Sequence, residues 1–207
     1  PGFWRDSKPP AEPFLARRAA FRTQLTRQGP SPQDFEIELP PEGVREVTFP
    51  SGNLQLKAWY AAPPAGQGGG RPAVVYFHGG NAFGSGDFLD ATPFRDAGFV
   101  VMTPMLRGEN GNPGNFELFW GEFDDACAAV RWVAQQPEVD PQRVYAFGHS
   151  MGGGIAALLS LADSSVPLRH SGSSGGLYPP ETFSDWQDIC PFDPTILKEC
   201  ELRVLLG

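Results

Sequence analysis

The chain has 207 residues, of which 41% are hydrophobic and 19% charged, so it holds enough apolar material for one sizeable core and one domain or slightly more. Its net charge of −8 disfavours a nucleic-acid-binding protein, which needs clustered cations on its binding face. No run approaches the roughly 18 apolar residues of a membrane-spanning helix, and no signal-peptide pattern opens the sequence. We therefore expect a soluble chain, and the sequence does not indicate its cellular compartment.

The N-terminal segment predicts an outlying helix followed by a linker. Phe14, Phe21 and Leu25 recur at helical spacing within residues 11–28, and a Gly-Pro pair then ends the pattern. The Pro-rich residues 30–43 connect this helix to the rest of the chain.

The charge of this arm differs from that of the remaining chain. Residues 1–28 carry six Lys/Arg against two acidic residues, so the excess of negative charge lies in the rest of the chain. We expect a solvated basic helix that rests on an acidic body; contact with an anionic surface, or docking of a partner or second subunit, are the alternatives. The predicted division is an arm with its linker over 1–43 and a main domain over 44–207.

After the linker, the hydrophobic pattern predicts a sheet. Residues 47–49 and 54–60 alternate apolar with polar side chains on either side of a Ser-Gly-Asn turn, which indicates a hairpin. From residue 73 onward, short apolar runs alternate with helical segments, as in a parallel sheet covered on both faces. The clearest of these helices lies near 117–136, and residues 63–72 are expected to form a surface loop.

The strongest chemical signal is a Gly-x-Ser-x-Gly motif centred on Ser150, between a short apolar strand and a small-residue helix. A serine on a sharp strand-to-helix turn is pushed above the sheet, and Gly148 and Gly152 leave room for the crossing. The N-terminus of the following helix favours negative charge nearby, so the Met151 N–H is a natural oxyanion donor. A tight packing turn is the alternative, and His149, on the same turn, points elsewhere.

A second motif, His78-Gly79-Gly80-Asn81, directly follows a predicted strand. Acyl transfer needs two N–H donors aimed at the developing oxyanion, and glycines present the backbone without obstruction. The pattern therefore predicts that the N–H of Gly80 or Asn81 is the second donor. His78 is expected to tie this loop structurally, and a simple Gly-rich turn remains the alternative for the whole motif.

The motifs together resemble the α/β-hydrolase superfamily, and within it the prolyl oligopeptidase and dienelactone-hydrolase-like branch of serine hydrolases. The resemblance covers about residues 44–200. It is carried by the stretches YFHGGN (76–81), LRGENG (106–111), GEFDDACAAVRWV (121–133), VDPQRVYAFGHSMGG (139–153) and CPFDP (190–194).

This resemblance implies an α/β fold with a mostly parallel sheet, helices on both faces, an antiparallel N-terminal hairpin and a domain that stops before its last strands. It also implies that Arg107 is an ion-pair anchor and that Asp124 and Asp125 are structural. Asn81 departs from the branch, in which related loops often carry Gly or Pro.

The acid and base of a catalytic triad are missing from the pattern. The superfamily order is Ser, then Asp or Glu, then His, and His170 is the one histidine that follows Ser150. It lies in a predicted strand, so we expect a strand-end residue and not the base. The available carboxylates are Asp185, Asp188 and Asp193, and the tail forms either a helix or a final strand. We predict that the protein continues past Gly207 and that the triad partners lie there.

No cofactor or metal is predicted. Cys127 falls in a helical apolar pattern and is expected to be a core thiol, whereas Cys190 and Cys200 either pair or are free. The expected partner is a small-molecule ester or a peptide, with the oligomeric state left open. Residues 116–124 and 171–193, including Tyr178 and Trp186, either shape the pocket or pack as surface loops.

The sequence therefore predicts a serine hydrolase that cleaves a carboxylic ester, amide or peptide bond through an acyl-enzyme on Ser150. The oxyanion donors are assigned to Met151 and to Gly80 or Asn81. The alternative is a non-catalytic binding or scaffold protein that kept the fold and lost the triad.

Overall fold

A computed structural model describes residues 13–20, 25–63 and 70–177. Helices and strands alternate along most of this chain, as the hydrophobic pattern predicts. In chain order they are α1 (Phe14–Ala20), β1 (Arg45–Ser51), β2 (Leu54–Ala61), β3 (Arg71–Phe77), α2 (Ser85–Asp90), α3 (Thr92–Asp96), β4 (Val100–Pro104), α4 (Trp120–Ala134), β5 (Val139–His149), α5 (Met151–Leu159) and β6 (His170–Ser174).

The described strands form one sheet in the order β1-β2-β4-β3-β5-β6. The predicted hairpin is confirmed, because β1 and β2 pair antiparallel with Phe49 opposite Leu56. Strand β2 is antiparallel to β4, whereas β4, β3, β5 and β6 run parallel to one another. The mostly parallel sheet with an antiparallel N-terminal hairpin is therefore confirmed.

Apolar side chains that point alternately to the two faces of the sheet form a hydrophobic core on each face. On β3, Val75 and Phe77 face a cluster that includes the buried sides of α4 and α5. Val74 and Tyr76, one residue out of step, face a second cluster with Phe88 of α2. Because successive side chains of a strand point to opposite faces, the central strands are apolar throughout and helices cover both sides.

Helix α1 is shorter than the helix predicted over 11–28. It spans Phe14–Ala20, Leu25 lies in an isolated bridge, and residues 26–28 are not helical. A short helix is marginal in water unless tertiary contacts stabilise it. These contacts come from Phe14, which packs edge-on against Phe123 of α4 at 5.4 Å between ring centroids.

The basic helix rests on an acidic helix, as predicted, but its central arginine is not solvated. Arg18 is 6% exposed and forms an ion pair of 3.1 Å with Asp124. Its guanidinium also lies over the rings of Trp120 and Phe123, at 4.1 and 4.8 Å from their centroids. Aromatic faces attract a cation, so α1 is bound to α4 by both charge and packing.

The ion-pair anchor implied for Arg107 is confirmed. Its Nη2 lies 2.8 Å from Asp125 Oδ1 and its Nη1 lies 3.1 Å from Glu117 Oε1. The same Asp125 carboxylate accepts a hydrogen bond of 2.6 Å from the Ser51 hydroxyl. This cluster ties the loop after β4 to α4 and to the end of β1.

Cys127 is a buried thiol of α4, as predicted, and burial raises its pKa to about 12. Within residues 13–20, 25–63 and 70–177, no helix combines the length and apolar character needed to cross a membrane.

Candidate active site

Ser150 occupies a strained turn between β5 and α5. Its backbone has φ 51° and ψ −119°, although it is not a glycine. A positive φ outside the left-handed helical region is costly for any residue with a Cβ atom and persists only where the surrounding structure fixes it. Ser150 is half-buried and follows the last residue of β5, at the carboxyl edge of the sheet.

The two glycines of the motif are required by close backbone contacts. A Cβ atom on Gly148 would lie 2.2 Å from the carbonyl oxygen of Gly152. A Cβ atom on Gly152 would in turn lie 2.1 Å from the carbonyl oxygen of Phe77, at the end of β3. Both distances are far inside van der Waals contact, so α5 approaches the sheet this closely only because these positions lack side chains.

The loop of residues 78–81 lies next to this turn. It follows β3, the parallel neighbour of β5, and a Cβ atom on Gly79 would lie 3.3 Å from Ser150 Cβ. The Gly152 N–H donates a hydrogen bond of 3.0 Å to the carbonyl oxygen of His78. The fold therefore brings the two sequence motifs together, with Ser150 beside the 78–81 loop.

Backbone N–H groups from both motifs are present at this edge. Met151 opens α5, and the first N–H groups of a helix have no acceptor within that helix. Gly80 has φ 67°, which favours glycine. The Asn81 N–H donates a hydrogen bond of 2.8 Å to Oε1 of Gln33, a contact between the 78–81 loop and the N-terminal linker.

Sequence reasoning missed Gln33 because its linker was predicted only as a connection. No local pattern marks this glutamine, since its partner lies 48 residues away. The side-chain oxygen of Asn81 is also notable, because within the described part of the chain no donor reaches this buried atom. Buried polar atoms without a partner are uncommon and cost free energy.

His78 is bound to the buried carboxylate of Glu109. Its Nε2 lies 3.0 Å from Glu109 Oε2, and these side chains are 2% and 0% exposed. Its Nδ1 lies 2.9 Å from the carbonyl oxygen of Gly79, so a doubly protonated ring donates at both nitrogens. Burial lowers the pKa of His78, but the charge and hydrogen bond of Glu109 outweigh this effect and raise it to about 9. His78 thus fastens the 78–81 loop, which is the structural role predicted for it.

Neither of the other histidines is placed to activate Ser150. His170 is the first residue of β6 and pairs with Tyr145, whereas Ser174, at the other end of β6, pairs with His149. Four residues of strand separate His170 from that edge by roughly 13 Å, so the prediction of a strand-end residue is confirmed. The His149 ring is exposed, and its Nδ1 donates to the carbonyl oxygen of Ser174 at 2.8 Å. Several residues singled out from the sequence lie outside the described residues, namely Asp185, Asp188, Asp193, Tyr178, Trp186, Cys190, Cys200 and the C-terminal tail.

Known proteins share both the sequence pattern and the architecture. The uncharacterized protein MT2364 of Mycobacterium tuberculosis is 32% identical over 133 residues, which are 64% of this chain and 46% of that protein. The uncharacterized peptidase YtmA of Bacillus subtilis is 31% identical over 125 residues, which are 59% of this chain and 48% of that protein. The chain thus spans about half the length of these curated relatives.

A solved structure gives the fold-level comparison. The dienelactone-hydrolase-like promiscuous phosphotriesterase P91, from metagenomic libraries, is 25% identical, has a TM-score of 0.54, and is matched over 66% of this chain and 60% of its own. The chain belongs to the α/β-hydrolase superfamily. The model of the prolyl oligopeptidase family matches residues 87–167 of this chain, a segment that contains Ser150 and Met151 but not the 78–81 loop.

Proposed function

We propose that this α/β-hydrolase is a serine hydrolase that cleaves a carboxylic ester, amide or peptide bond through an acyl-enzyme on Ser150. The observation that carries the proposal is the φ of 51° and ψ of −119° at Ser150, held between β5 and α5 by glycines that admit no side chain. A packing turn alone does not require a serine in this conformation. Strain of this kind clusters at functional positions.

The proposed reaction begins with attack of the Ser150 hydroxyl oxygen on the substrate carbonyl carbon. A bond forms between these atoms, the hydroxyl proton passes to a base, and the electron pair of the carbonyl moves onto its oxygen. The N–H of Met151 and that of Gly80 or Asn81 are proposed to stabilise this oxyanion. Collapse expels the alcohol or amine, which takes the proton from the base, and water then hydrolyses the ester on Ser150 by the same steps.

The base and its orienting carboxylate are proposed to come from outside the described residues. His78 is fully engaged by Glu109 and Gly79, and His170 lies at the far end of β6. A serine without an oriented histidine is a weak nucleophile at neutral pH. The proposal therefore concerns the full-length protein.

The substrate class is proposed from the relatives and stays broad. YtmA is described as a peptidase and P91 as a promiscuous phosphotriesterase. Esters, amides and peptides all develop an oxyanion on attack, so one pair of N–H donors serves each of them.

A turnover assay tests the proposal. The full-length protein is incubated with p-nitrophenyl acyl esters and with peptidyl p-nitroanilides, and its rates are compared with those of Ser150→Ala and Ser160→Ala. Ser160 is a matched control, because it is an exposed residue just after α5 whose hydroxyl donates a local hydrogen bond of 2.6 Å to the Ala157 carbonyl oxygen. We expect Ser150→Ala to lose activity and Ser160→Ala to keep it. Equal turnover by wild type and Ser150→Ala would contradict the proposal.

The alternative is a non-catalytic protein with the same fold. The observation that favours it is the engagement of His78 and His149 by other groups, which leaves Ser150 without an imidazole among the described residues. A full-length protein that turns over neither ester nor amide would support this alternative.

A further inference from the structure

The N-terminal strap, defined here as residues 29–33, lies beside the 78–81 loop and is held to the loop after β4 by hydrogen bonds of its own. The N–H of Gly29 donates to the side-chain oxygen of Asn115 at 3.0 Å. The N–H of Ser31 donates to the carbonyl oxygen of Gly108 at 2.9 Å. The strap is therefore fixed to the loop after β4 independently of the residue that ends it.

The last residue of the strap extends its carboxamide onto the 78–81 loop. Gln33 Oε1 accepts the hydrogen bond of 2.8 Å from the Asn81 N–H. A Cβ atom on Gly80 would lie 2.8 Å from that oxygen and 3.4 Å from Gln33 Nε2, so the carboxamide covers Gly80 as well. The hydroxyl of Ser31 donates to the carbonyl oxygen of Asn81, so the strap binds both the N–H and the C=O of this residue.

We propose that the Gln33 carboxamide is a built-in occupant of the oxyanion site, which leaves before a substrate carbonyl binds there. This inference rests on the proposed function, because it takes Asn81 N–H as an oxyanion donor. A carboxamide carries the same carbonyl group as an amide substrate, and its oxygen already lies at hydrogen-bond distance from that donor. Gln33 is thus a residue that controls access to the site.

Displacement of the side chain requires no movement of the strap backbone. Gln33 is exposed, so its carboxamide has water to bond to after it rotates away. The hydrogen bonds of Gly29 and Ser31 stay in place during that rotation. The contact is one neutral hydrogen bond, whose net stabilisation in water is modest. The carboxamide should therefore lower the rate of acylation of Ser150 only by a small factor.

Two substitutions separate competition from support of the loop. Gln33→Ala removes the competing oxygen and should speed acylation of Ser150. Gln33→Glu replaces it with a carboxylate, which binds the N–H more strongly and repels the developing oxyanion, and should slow acylation. If Gln33 instead oriented the loop, Gln33→Ala would be slower and Gln33→Glu would retain the wild-type rate.

The measurement is the second-order rate constant for inactivation of the full-length protein by a fluorophosphonate, whose P=O oxygen takes the oxyanion position. We expect Gln33→Ala to react about twofold to tenfold faster than wild type, because this factor corresponds to the net stabilisation by one neutral hydrogen bond. Gln33→Glu should react more slowly. Gln55→Ala, an exposed glutamine on β2, is the matched control and should react as wild type.

Each other result overturns the inference. An unchanged or slower rate for Gln33→Ala, in a protein whose labelling depends on Ser150, overturns it while the proposed function stands. Equal labelling of wild type and Ser150→Ala overturns the proposed function and the inference together. Thermal unfolding of each variant confirms that it is folded, because loss of an exposed side chain should leave the midpoint unchanged within a few degrees.

Discussion

The buried pair of His78 and Glu109 makes the stability of this protein depend on pH. Glu109→Gln removes the charge and keeps the shape of the side chain. The new amide oxygen still accepts the hydrogen bond that Glu109 Oε2 takes from the Leu106 N–H at 2.7 Å. The same amide oxygen can accept a hydrogen bond from the Nε2–H of a neutral His78, which contacts Oε2 in the wild type, so the substitution tests the charge of the pair more than its packing.

The magnitude follows from the pKa of His78. Glu109 raises it from 6.5 to about 9 in the folded protein, after burial has opposed the shift. Between these values the folded state binds more protons than the unfolded state, so stability is fully present below pH 6.5 and is lost as the pH rises through 9. A difference of this size corresponds to about 3 kcal/mol at 25 °C. Glu109→Gln should therefore cost about 3 kcal/mol at pH 6 and little at pH 10.

Urea denaturation followed by tryptophan fluorescence at pH 6, 8 and 10 measures this difference. Other groups titrate in both proteins, so their contributions cancel when the two free energies of unfolding are subtracted. Glu42→Gln, an exposed glutamate, is the matched control and should follow the wild type at every pH. A cost of Glu109→Gln that stays constant, or grows, from pH 6 to pH 10 would refute the reasoning.

Two further substitutions test a buried carboxyl of α4 and the close approach of α5 to β3. Burial raises the pKa of Glu122 to about 8, so the free energy of unfolding of the wild type falls as the pH rises from 4.5 to 8. In urea denaturation, the free energy of unfolding of Glu122→Gln should fall less over the same pH range. An identical pH dependence of the two proteins would contradict this prediction. Gly152→Ala drives a Cβ atom against the Phe77 carbonyl oxygen, a backbone group that cannot rotate away. It should lower the calorimetric Tm by roughly 6–12 °C, for a cost of about 3 kcal/mol. Gly86→Ala, where a Cβ atom meets nothing within 4 Å, should leave the Tm unchanged or slightly higher, and equal effects of the two substitutions would rule out the clash.

The sequence predicted the fold well because local patterns dictate it. The period of two before and after residues 51–53 specified the hairpin, and its register follows from which residues are apolar. The spacing of glycines around Ser150 predicted the close crossing of β5 and α5 for the physical reason that the contact distances bear out. Each of these features is encoded within about ten residues of chain.

Contacts between distant segments could not be predicted in this way. The partner of His78 lies 31 residues away and the partner of Asn81 lies 48 residues away. Glu109 stands in the LRGENG stretch, which does not reveal its pairing with His78, and Gln33 stands in no recognisable motif. Helix α1 was predicted too long because helical spacing continues beyond the turns that α4 stabilises. The roles of Ser150 as nucleophile and of the Met151 N–H as oxyanion donor stay predictions, which the turnover and labelling assays test.

The most direct test of the central claim is the site of covalent modification. The full-length protein is treated with a fluorophosphonate, and the adduct is located by mass spectrometry of its peptides, with Ser150→Ala treated in parallel. We predict a single adduct on Ser150 and none on the variant, because a phosphonate reacts with a serine only where a base and an oxyanion site activate it. An adduct on another residue, or equal modification of Ser150→Ala, would contradict the account.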